Sequence, residues 1–524
     1  MPFTTLSYIV FFAIVFFAYY SVPKKGQWWL LLLASYVFYS YVSAYYLIFL
    51  AVTTLVTYAG AVLMDNSLRK QADWVKEFGG SVSREEKKAY KERAATRRRW
   101  MLIGVIVALL SLLGVFKYLE FVLQNVSAVA GLMGFSCNSP ALNLILPIGL
   151  SFYIFQSLGY CIDVQREIVP AERNVIRHAL YVSFFPQLLQ GPIGDYGRLA
   201  PQLFAGHAFD YAQVKFGIQR VAWGFFKKLV VANGLAHNLD PVWTNVGACS
   251  GLGSWSVILF CYAIQLYADF SGYMDIACGC AQMLGVKLDE NFNCPYFAKD
   301  VADFWRRWHM TLGEWFKNYL FYPILRSDWN TKLRKSLKGK YAASTFPTVA
   351  ALAIVWLLIG LWHGASWNYI VYGLYYGVFM VLAVLLDPFY QGLKARFPKV
   401  FDSKAYSLFQ MVRTFLIVVA GYSLFKPADL ASTMKIVSSC GDMTMTGLAS
   451  LRLFVRAMGP LWLTVGVMLA VDAVHYQTEK GTIRRWMSGR PFIIQLAVCV
   501  LGLLYILNFG TYGDGYNHFE YFKF

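Results

Sequence analysis

A histidine ends an apolar run long enough to cross a membrane, in the sequence GLWHGASW at 360–367. An ionisable group within a membrane is costly and by default indicates function. The imidazole of His363 titrates near neutrality and can take the proton of a hydroxyl group, and Gly364 would let a ligand approach the backbone. The residue type alone equally allows a structural histidine that binds a backbone carbonyl at a helix end.

A second histidine closes the segment DFWRRWH at 303–309. In a helix, Asp303 would reach Arg306 and Arg307 at i+3 and i+4, and Trp305 would stack one turn below His309. Such a face is typical of an interfacial belt of tryptophan and arginine. Alternatively, the two guanidinium groups hold phosphates while His309 assists at the reacting centre.

Two carboxylates, those of Asp269 and Asp275, lie within the apolar stretch 265–275. Each would cost about 2.5–3.5 kcal/mol at the bilayer centre if it faced lipid, so both are expected to face protein or water. A structural ion pair with Arg306 or Lys228 and a functional role are equally compatible with this pattern.

Other catalytic chemistries leave recognisable motifs that this sequence lacks. It contains no GxxxxGK[ST] phosphate loop, no HExxH zinc motif and no GxSxG nucleophile elbow. Its nine cysteines occur without CxxC pairs or histidines at metal spacing. No metal site, disulfide framework or bound cofactor is therefore expected.

The composition assigns these residues to a membrane protein. Of 524 residues, 58% are hydrophobic and only 15% are charged, whereas soluble domains have about 45–50% apolar and about 25% charged residues. So few charges cannot cover the surfaces of several soluble domains. Soluble, disordered, coiled-coil and collagen-like proteins are excluded, and the sequence predicts an all-α polytopic membrane protein.

The distribution of charge predicts the topology. About twelve apolar runs have roughly the spanning length, near 6–22, 28–45, 46–64, 101–123, 141–163, 214–232, 254–284, 346–363, 367–386, 405–425, 459–475 and 491–508. If 65–100 is cytoplasmic, the loops on its side carry 36 of the 47 Lys and Arg residues, and the opposite loops carry five. By the positive-inside rule, both termini then lie outside the cytoplasm. The net charge of +18 is mostly a topology signal and not a nucleic-acid surface.

Two segments on the predicted cytoplasmic side are too apolar for ordinary loops. Two prolines and a glycine within seven residues prevent a spanning helix in 176–204, and aromatic side chains alternate with charged ones in 296–325. Both are expected to be re-entrant or interfacial elements around an internal cavity. The charged stretch 65–100 is expected to form a helical cytoplasmic insert, and residues 1–524 a single transmembrane domain.

Together, these motifs resemble those of the membrane-bound O-acyltransferase superfamily. The resemblance is strongest to a bacterial branch that holds the membrane subunits of alginate O-acetyltransferases and the proteins of peptidoglycan O-acetylation and teichoic-acid D-alanylation. It covers essentially the whole chain and rests on LPIGLSF (146–152), FPQ (185–187), QGP (190–192), 265–275, ENFN (290–293), PY (295–296), FWRRWH (304–309), GLWHGA (360–365) and FEYFKF (519–524).

The resemblance implies about 11 to 12 tilted transmembrane helices, with re-entrant helices, around a central tunnel. It also implies that His363 and His309 face the tunnel and carry the chemistry. Hydropathy places these histidines near opposite faces of the membrane, and a funnel that thins the membrane would bring them together. The candidate donor-binding or tunnel-lining residues are Arg306, Arg307, Trp305, Trp308, Trp362, Asp269 and Gln190.

The function implied by the resemblance is transfer of an acyl group, with acetyl favoured, from a cytoplasmic thioester such as acetyl-CoA or a loaded carrier protein. The acceptor would be a cell-wall polymer or exopolysaccharide outside the bacterial cell membrane, reached through an extracytoplasmic partner with an SGNH esterase-like fold. The sequence leaves the acyl group and the polymer open.

Two other classes of protein share some of these features. A transporter or flippase for a lipid-linked sugar would also have twelve spans, intramembrane acids and broken helices, but such folds usually show two related halves, and no internal repeat is evident. A non-catalytic scaffold of a polysaccharide export complex is less compatible with paired tunnel histidines.

Overall fold

The computed structural model describes residues 1–41, 43–135, 146–427, 429–441, 451–452, 455–456, 458–478 and 481–513. Within these ranges the secondary structure is helical, apart from turns and an isolated antiparallel bridge between Phe292 and Trp308. The predicted all-α class is thereby confirmed. The motif at 519–524 lies outside the described residues.

The helices vary widely in length. Those of the first half are α1 (Leu6–Ser21), α2 (Lys24–Ser40), α3 (Tyr46–Phe78), α4 (Arg84–Leu132), α5 (Leu150–Gln165), α6 (Val175–Ser183), α7 (Tyr196–Ala205), α8 (Tyr211–Phe225), α9 (Asn233–Thr244) and α10 (Leu252–Met283). Those of the second half are α11 (Val301–Arg307), α12 (Met310–Phe316), α13 (Tyr322–Arg326), α14 (Asp328–Ser336), α15 (Lys340–His363), α16 (Trp367–Leu385), α17 (Asp387–Arg396), α18 (Lys404–Phe425), α19 (Leu430–Ser439), α20 (Leu461–Gln477), α21 (Thr482–Ser488) and α22 (Phe492–Phe509). π-Helical turns occur at Gly114–Tyr118 in α4, at Phe226–Ala232 after α8 and at Lys317–Phe321 after α12.

Seven of the described helices are long and apolar enough to cross a membrane: α3, α4, α10, α15, α16, α18 and α22. They confirm a multi-pass membrane protein. One of the remaining predicted runs, 214–232, lies in a helical stretch that continues from α8 through the π-helical turn Phe226–Ala232 into α9. The other four correspond to helices of 16 or 17 residues, such as α1 with 16 and α20 with 17. A straight helix of that length reaches only about 24 Å, less than the roughly 30 Å of the hydrocarbon core. The total of about twelve spans stays a prediction.

The chain divides into two compact units. The first consists mainly of Phe3–Ile218 and Ala277–Asp289, and the second of Gln219–Ile276 and Glu290–Phe524. The single-domain organisation predicted for 1–524 is not tested by this division. It stays a prediction.

The charged stretch 65–100 belongs to the first unit, where it forms the tip of a helical hairpin. Helix α3 extends into it as far as Phe78, and α4 begins within it behind a capping box in which Ser83 and Glu86 bind each other's backbone N–H groups. The rings of Trp74 and Tyr90 stack across the hairpin with centroids 4.0 Å apart. The insert is therefore helical, as predicted.

The segment 176–204, also in the first unit, is broken and largely buried. A single helical turn, Phe185–Leu188, lies between α6 and α7, and within it Gln187 Nε2 donates to Gln156 Oε1 at 3.0 Å. Gly149 closes against this turn, because a Cβ there would lie 2.7 Å from the Leu188 carbonyl oxygen. The interruption predicted from the prolines is confirmed, and the position of the segment in the membrane stays a prediction.

Helix α10 is an internal helix. In its most apolar stretch 89% of the residues are buried, against 17% in α4 and 6% in α22. Its two acids, Asp269 and Asp275, are correspondingly buried. Both carboxylates therefore face protein, as their cost in lipid predicts.

In the second unit, two glycines bring α15 and α16 close together. A Cβ on Gly360 would lie 2.5 Å from the Tyr369 carbonyl oxygen, and one on Gly373 would lie 2.5 Å from that of Trp356. Small residues permit this close approach of membrane helices. The contact fixes the end of α15, where His363 stands.

Candidate active site

His309 lies at a break between α11 and α12 in the second unit. Residues 290–293, called the strap below, run antiparallel to the chain at this break. The Asn293 N–H donates to the Arg307 carbonyl oxygen at 3.0 Å, next to the antiparallel bridge described above. The strap supplies pairing that a continuous helix would otherwise make internally.

The backbone of His309 is left-handed, with a φ of +46°. This conformation is uncommon outside glycine and persists only where the surroundings impose it. The predicted stacking of Trp305 one turn below His309 is wrong, because the helix ends at Arg307. The Trp305 ring instead contacts Trp356 and Tyr376, with centroids 5.1 and 4.9 Å away.

The imidazole of His309 is buried between aromatic rings. Phe270 of α10 meets it edge-on with centroids 4.7 Å apart, and Trp362 lies 5.7 Å away. His309 is outside the seven candidate spans, and burial lowers its pKa to about 3. The ring is therefore neutral at physiological pH, and a neutral imidazole can donate a hydrogen bond to a substrate carbonyl.

The imidazole of His363 is also buried in an aromatic shell. Its centroid lies 5.0 Å from Trp362, 5.4 Å from Phe425 and 5.5 Å from Tyr372. Trp362 thus contacts both histidine rings, and the structure brings together three predicted site residues: His309, His363 and Trp362. Both imidazoles therefore lie against one indole, in surroundings of low polarity.

The remaining residues of the 303–309 motif divide into surface and core. Arg307 and Arg306 lie 3.0 and 3.6 Å from the Asp303 carboxylate, which confirms the predicted pairs, and the Arg306 side chain is exposed. Trp308 is buried and stacks on Phe304 with centroids 5.6 Å apart. Phosphate binding by the two arginines is not tested by these contacts.

Known proteins match this chain over most of its length. A model of the membrane-bound O-acyltransferase family matches residues 171–421. The probable alginate O-acetylase AlgI of Azotobacter vinelandii is 31% identical over 463 residues, which are 87% of this chain and 81% of the relative. The chain belongs to the membrane-bound O-acyltransferase family. It is therefore an acyltransferase, and the transporter and scaffold alternatives are set aside.

Two further relatives of this acyltransferase carry names of O-acetylating proteins. The probable alginate O-acetylase AlgI of Pseudomonas aeruginosa is 33% identical over 431 residues, 82% of this chain and 73% of the relative. The peptidoglycan O-acetyltransferase of Helicobacter pylori is 33% identical over 310 residues, 54% of this chain and 55% of the relative. The match to the family model includes both histidines.

The acids of α10 form buried ion pairs in the acyltransferase. Lys228 Nζ lies 2.6 Å from Asp269 Oδ1, so that Lys228 is the partner of Asp269 among the two candidates named from the sequence. Asp275 is bound by Lys227 Nζ at 2.6 Å and by Arg220 Nε at 2.9 Å. The alternative partner, Arg306, pairs with acids of its own segment instead.

Removing the Asp269 carboxylate is expected to destabilise the acyltransferase. Asp269→Ala leaves the buried Lys228 ammonium without its 2.6 Å partner, and breaking such a pair costs about 3–5 kcal/mol. Thermal unfolding in detergent should show a lower midpoint, restored in large part by adding Lys228→Met. Asp289→Ala is the matched control, because its pair with Arg198 is solvent-exposed and worth about 0–1 kcal/mol. An Asp269→Ala protein as stable as wild type would refute the structural role of the pair.

Not every residue near the site had a predicted role. Gln190 is buried in the first unit, and its tunnel-lining role stays a prediction. Asn291 and Phe270 contact the chain around His309. They lie in the motifs at 290–293 and 265–275, and neither had a predicted role of its own. Among the described residues, no three His, Cys, Asp or Glu side chains converge as metal ligands would.

Proposed function

We propose that this protein transfers an acetyl group from a cytoplasmic thioester to a hydroxyl group of a cell-wall polymer or exopolysaccharide. The observation that carries the proposal is the pair of buried histidines on Trp362. The alginate and peptidoglycan O-acetylases among the relatives support acetyl as the acyl group and a polysaccharide as the acceptor.

His363 is the general base of the proposed reaction. A hydroxyl group is a poor nucleophile until its proton is removed during attack. The His363 imidazole takes that proton while the hydroxyl oxygen forms a bond to the thioester carbonyl carbon. The carbon–sulfur bond then breaks, and the thiolate leaves and takes up the proton that His363 holds. The acyl group ends as an oxygen ester and the donor as a thiol.

His309 polarises the thioester carbonyl in this scheme. Its neutral imidazole donates a hydrogen bond to the oxygen on which negative charge develops, a type of stabilisation that is strongest where water is excluded. Its burial beside Phe270 supports this role. The two histidines thus act on the two ends of the reacting group, His363 on the nucleophile and His309 on the carbonyl.

The donor and the acceptor approach from opposite sides of the bacterial cell membrane. The excess of Lys and Arg in the loops around 285–345 supports a cytoplasmic position for Arg306 and Arg307. The exposed Arg306 guanidinium suits the phosphates of coenzyme A or of a phosphopantetheine carrier. On the other side, the hydroxyl group that attacks the thioester belongs to an esterase-like partner, which receives the acetyl group and passes it to a hydroxyl group of the polymer.

The test uses the full chain in liposomes with acetyl-CoA carrying a labelled acetyl group. The partner transferase and a polysaccharide fragment are enclosed inside, and an acetyl-loaded carrier protein is the second donor. We expect thiol release outside and label on the partner or glycan inside. Empty liposomes and a thioether analogue of acetyl-CoA are the controls. Absence of thiol release with both donors, in the presence of partner and glycan, would refute the proposal.

A further inference from the structure

We propose that Asn291 is a positioning residue for His309, because it caps the helix that begins directly after this histidine. His309 occupies the N-cap position of α12, yet its own side chain makes no capping hydrogen bond. A residue from the strap caps the helix instead. The imidazole can then point to Phe270 and Trp362. This inference rests on the proposed function, since it gives Asn291 a part in that reaction.

Asn291 binds the first turn of α12 through three hydrogen bonds. Its Oδ1 accepts the Thr311 N–H at 3.0 Å and the Thr311 hydroxyl at 2.7 Å. Its carbonyl oxygen accepts the Met310 N–H at 3.0 Å. The first N–H groups of a helix have no acceptor within the helix and need one from outside. In most helices the N-cap side chain provides it, and here Asn291 does so for His309.

The strap is anchored to α10 directly by Asn291 and, through Arg220 of α8, by Glu290. Asn291 Nδ2 donates to the Met274 sulfur at 3.1 Å. Its neighbour Glu290 accepts from Arg220 at 2.7 Å, and the same guanidinium donates to Asp275 at 2.9 Å. Helix α10 also carries Phe270, which packs edge-on against the His309 ring. Asn291 and Phe270, which cap the helix and contact the His309 ring, are therefore both held by α10.

Loss of the cap should displace the imidazole without removing the donor site. The left-handed backbone at His309 persists only while its surroundings impose it, and two Thr311 groups lose their acceptor when Oδ1 is absent. A displacement of about 1 Å at a reacting group can cost about 10²-fold in rate. Turnover should fall, whereas binding of the thioester donor should be retained.

The test compares Asn291→Ala with Asn293→Ala in the full chain in liposomes. Asn293 stands in the same strap but is exposed, and its bond to Arg307 is made by the backbone. We expect the kcat of thiol release to fall at least about tenfold in Asn291→Ala, with the donor KM within about twofold of wild type, and no change in Asn293→Ala. In a His309→Ala background, Asn291→Ala should cause no further loss. An equal loss in both backgrounds, or an unchanged kcat, would overturn the proposal.

Two further measurements separate this inference from the proposed function and from misfolding. The first is the rate at which diethyl pyrocarbonate carbethoxylates His309, followed by peptide mass spectrometry, which needs no turnover. This rate should be several-fold higher in Asn291→Ala than in wild type and Asn293→Ala. Equal rates would overturn the positioning role. A wild type without turnover would refute the proposed function alone. The second applies if Asn291→Ala does not fold. Thr311→Ser should then keep wild-type turnover, and turnover of Thr311→Val should be several-fold lower. Equal turnover in these two variants would overturn the proposal.

Discussion

Replacing His363 by alanine is expected to lower thioester turnover by about 10²–10⁴-fold, the contribution of a positioned general base. The ring stands at the end of α15 against Trp362, Phe425 and Tyr372, so no solvent base can readily replace it. The measurement is the initial rate of thiol release from acetyl-CoA or the loaded carrier in liposomes. The thermal unfolding midpoint in detergent is measured on the same preparations to show that the variant is folded.

Two control variants make this result specific to the base. His363→Gln keeps a hydrogen-bonding side chain of similar size but cannot accept the proton at neutral pH, and should lose as much turnover as His363→Ala. His237→Ala removes an exposed histidine of α9 and should leave the rate unchanged. Near-normal turnover in His363→Ala would show that the base assignment is wrong.

Local spacing along one helix and the cost of an acid in lipid were sufficient to predict three features of the site region. The apolar run before His363 predicted a helix that ends there, and α15 ends at this residue. The i+3 and i+4 spacing predicted the pairs of Asp303 with Arg306 and Arg307, and these pairs are present. The cost of an acid in lipid predicted that Asp269 faces protein or water, with Lys228 or Arg306 as candidate partners, and Lys228 lies beside it.

The break at His309 could not be predicted in this way. Nothing in the order Trp-Arg-Arg-Trp-His-Met forbids a continuous helix, since it lacks proline and glycine. The helix ends because the strap, 14 to 19 residues earlier in the chain, pairs with its backbone. Such pairing depends on tertiary structure, which overrides local helix propensity. For the same reason the stacking of Trp305 on His309 was predicted wrongly.

Hydropathy also could not bring the two histidines together. Hydropathy identifies the apolar runs that cross the membrane and the ends of each run. On that basis it places His363 and His309 near opposite faces of the membrane. Their common contact with Trp362 arises from a short, broken element, α11–α12, which carries His309 to the end of α15. The family resemblance implied this meeting, and the backbone break explains how it is achieved.

His309→Ala is expected to reduce turnover severely but incompletely, by about 10²-fold, as removal of one hydrogen-bond donor to a developing oxyanion does. The loss should be smaller than that of His363→Ala, because the base still activates the hydroxyl group. The measurement is kcat for thiol release, since an interaction made mainly in the transition state lowers kcat and leaves the donor KM little changed.

The left-handed backbone of His309 allows control variants that distinguish a chemical role of the imidazole from a structural role of the residue in the turn. Asparagine tolerates a positive φ better than alanine does, and glycine tolerates it without cost. If the imidazole polarises the carbonyl, His309→Asn and His309→Gly should be at least as stable as His309→Ala. His309→Gly should lose about as much turnover as His309→Ala, and His309→Asn, whose shorter amide donates from another position, should lose most of it. If the residue serves only to form the turn, both variants should retain nearly wild-type turnover, and the chemical role would pass to His363 alone.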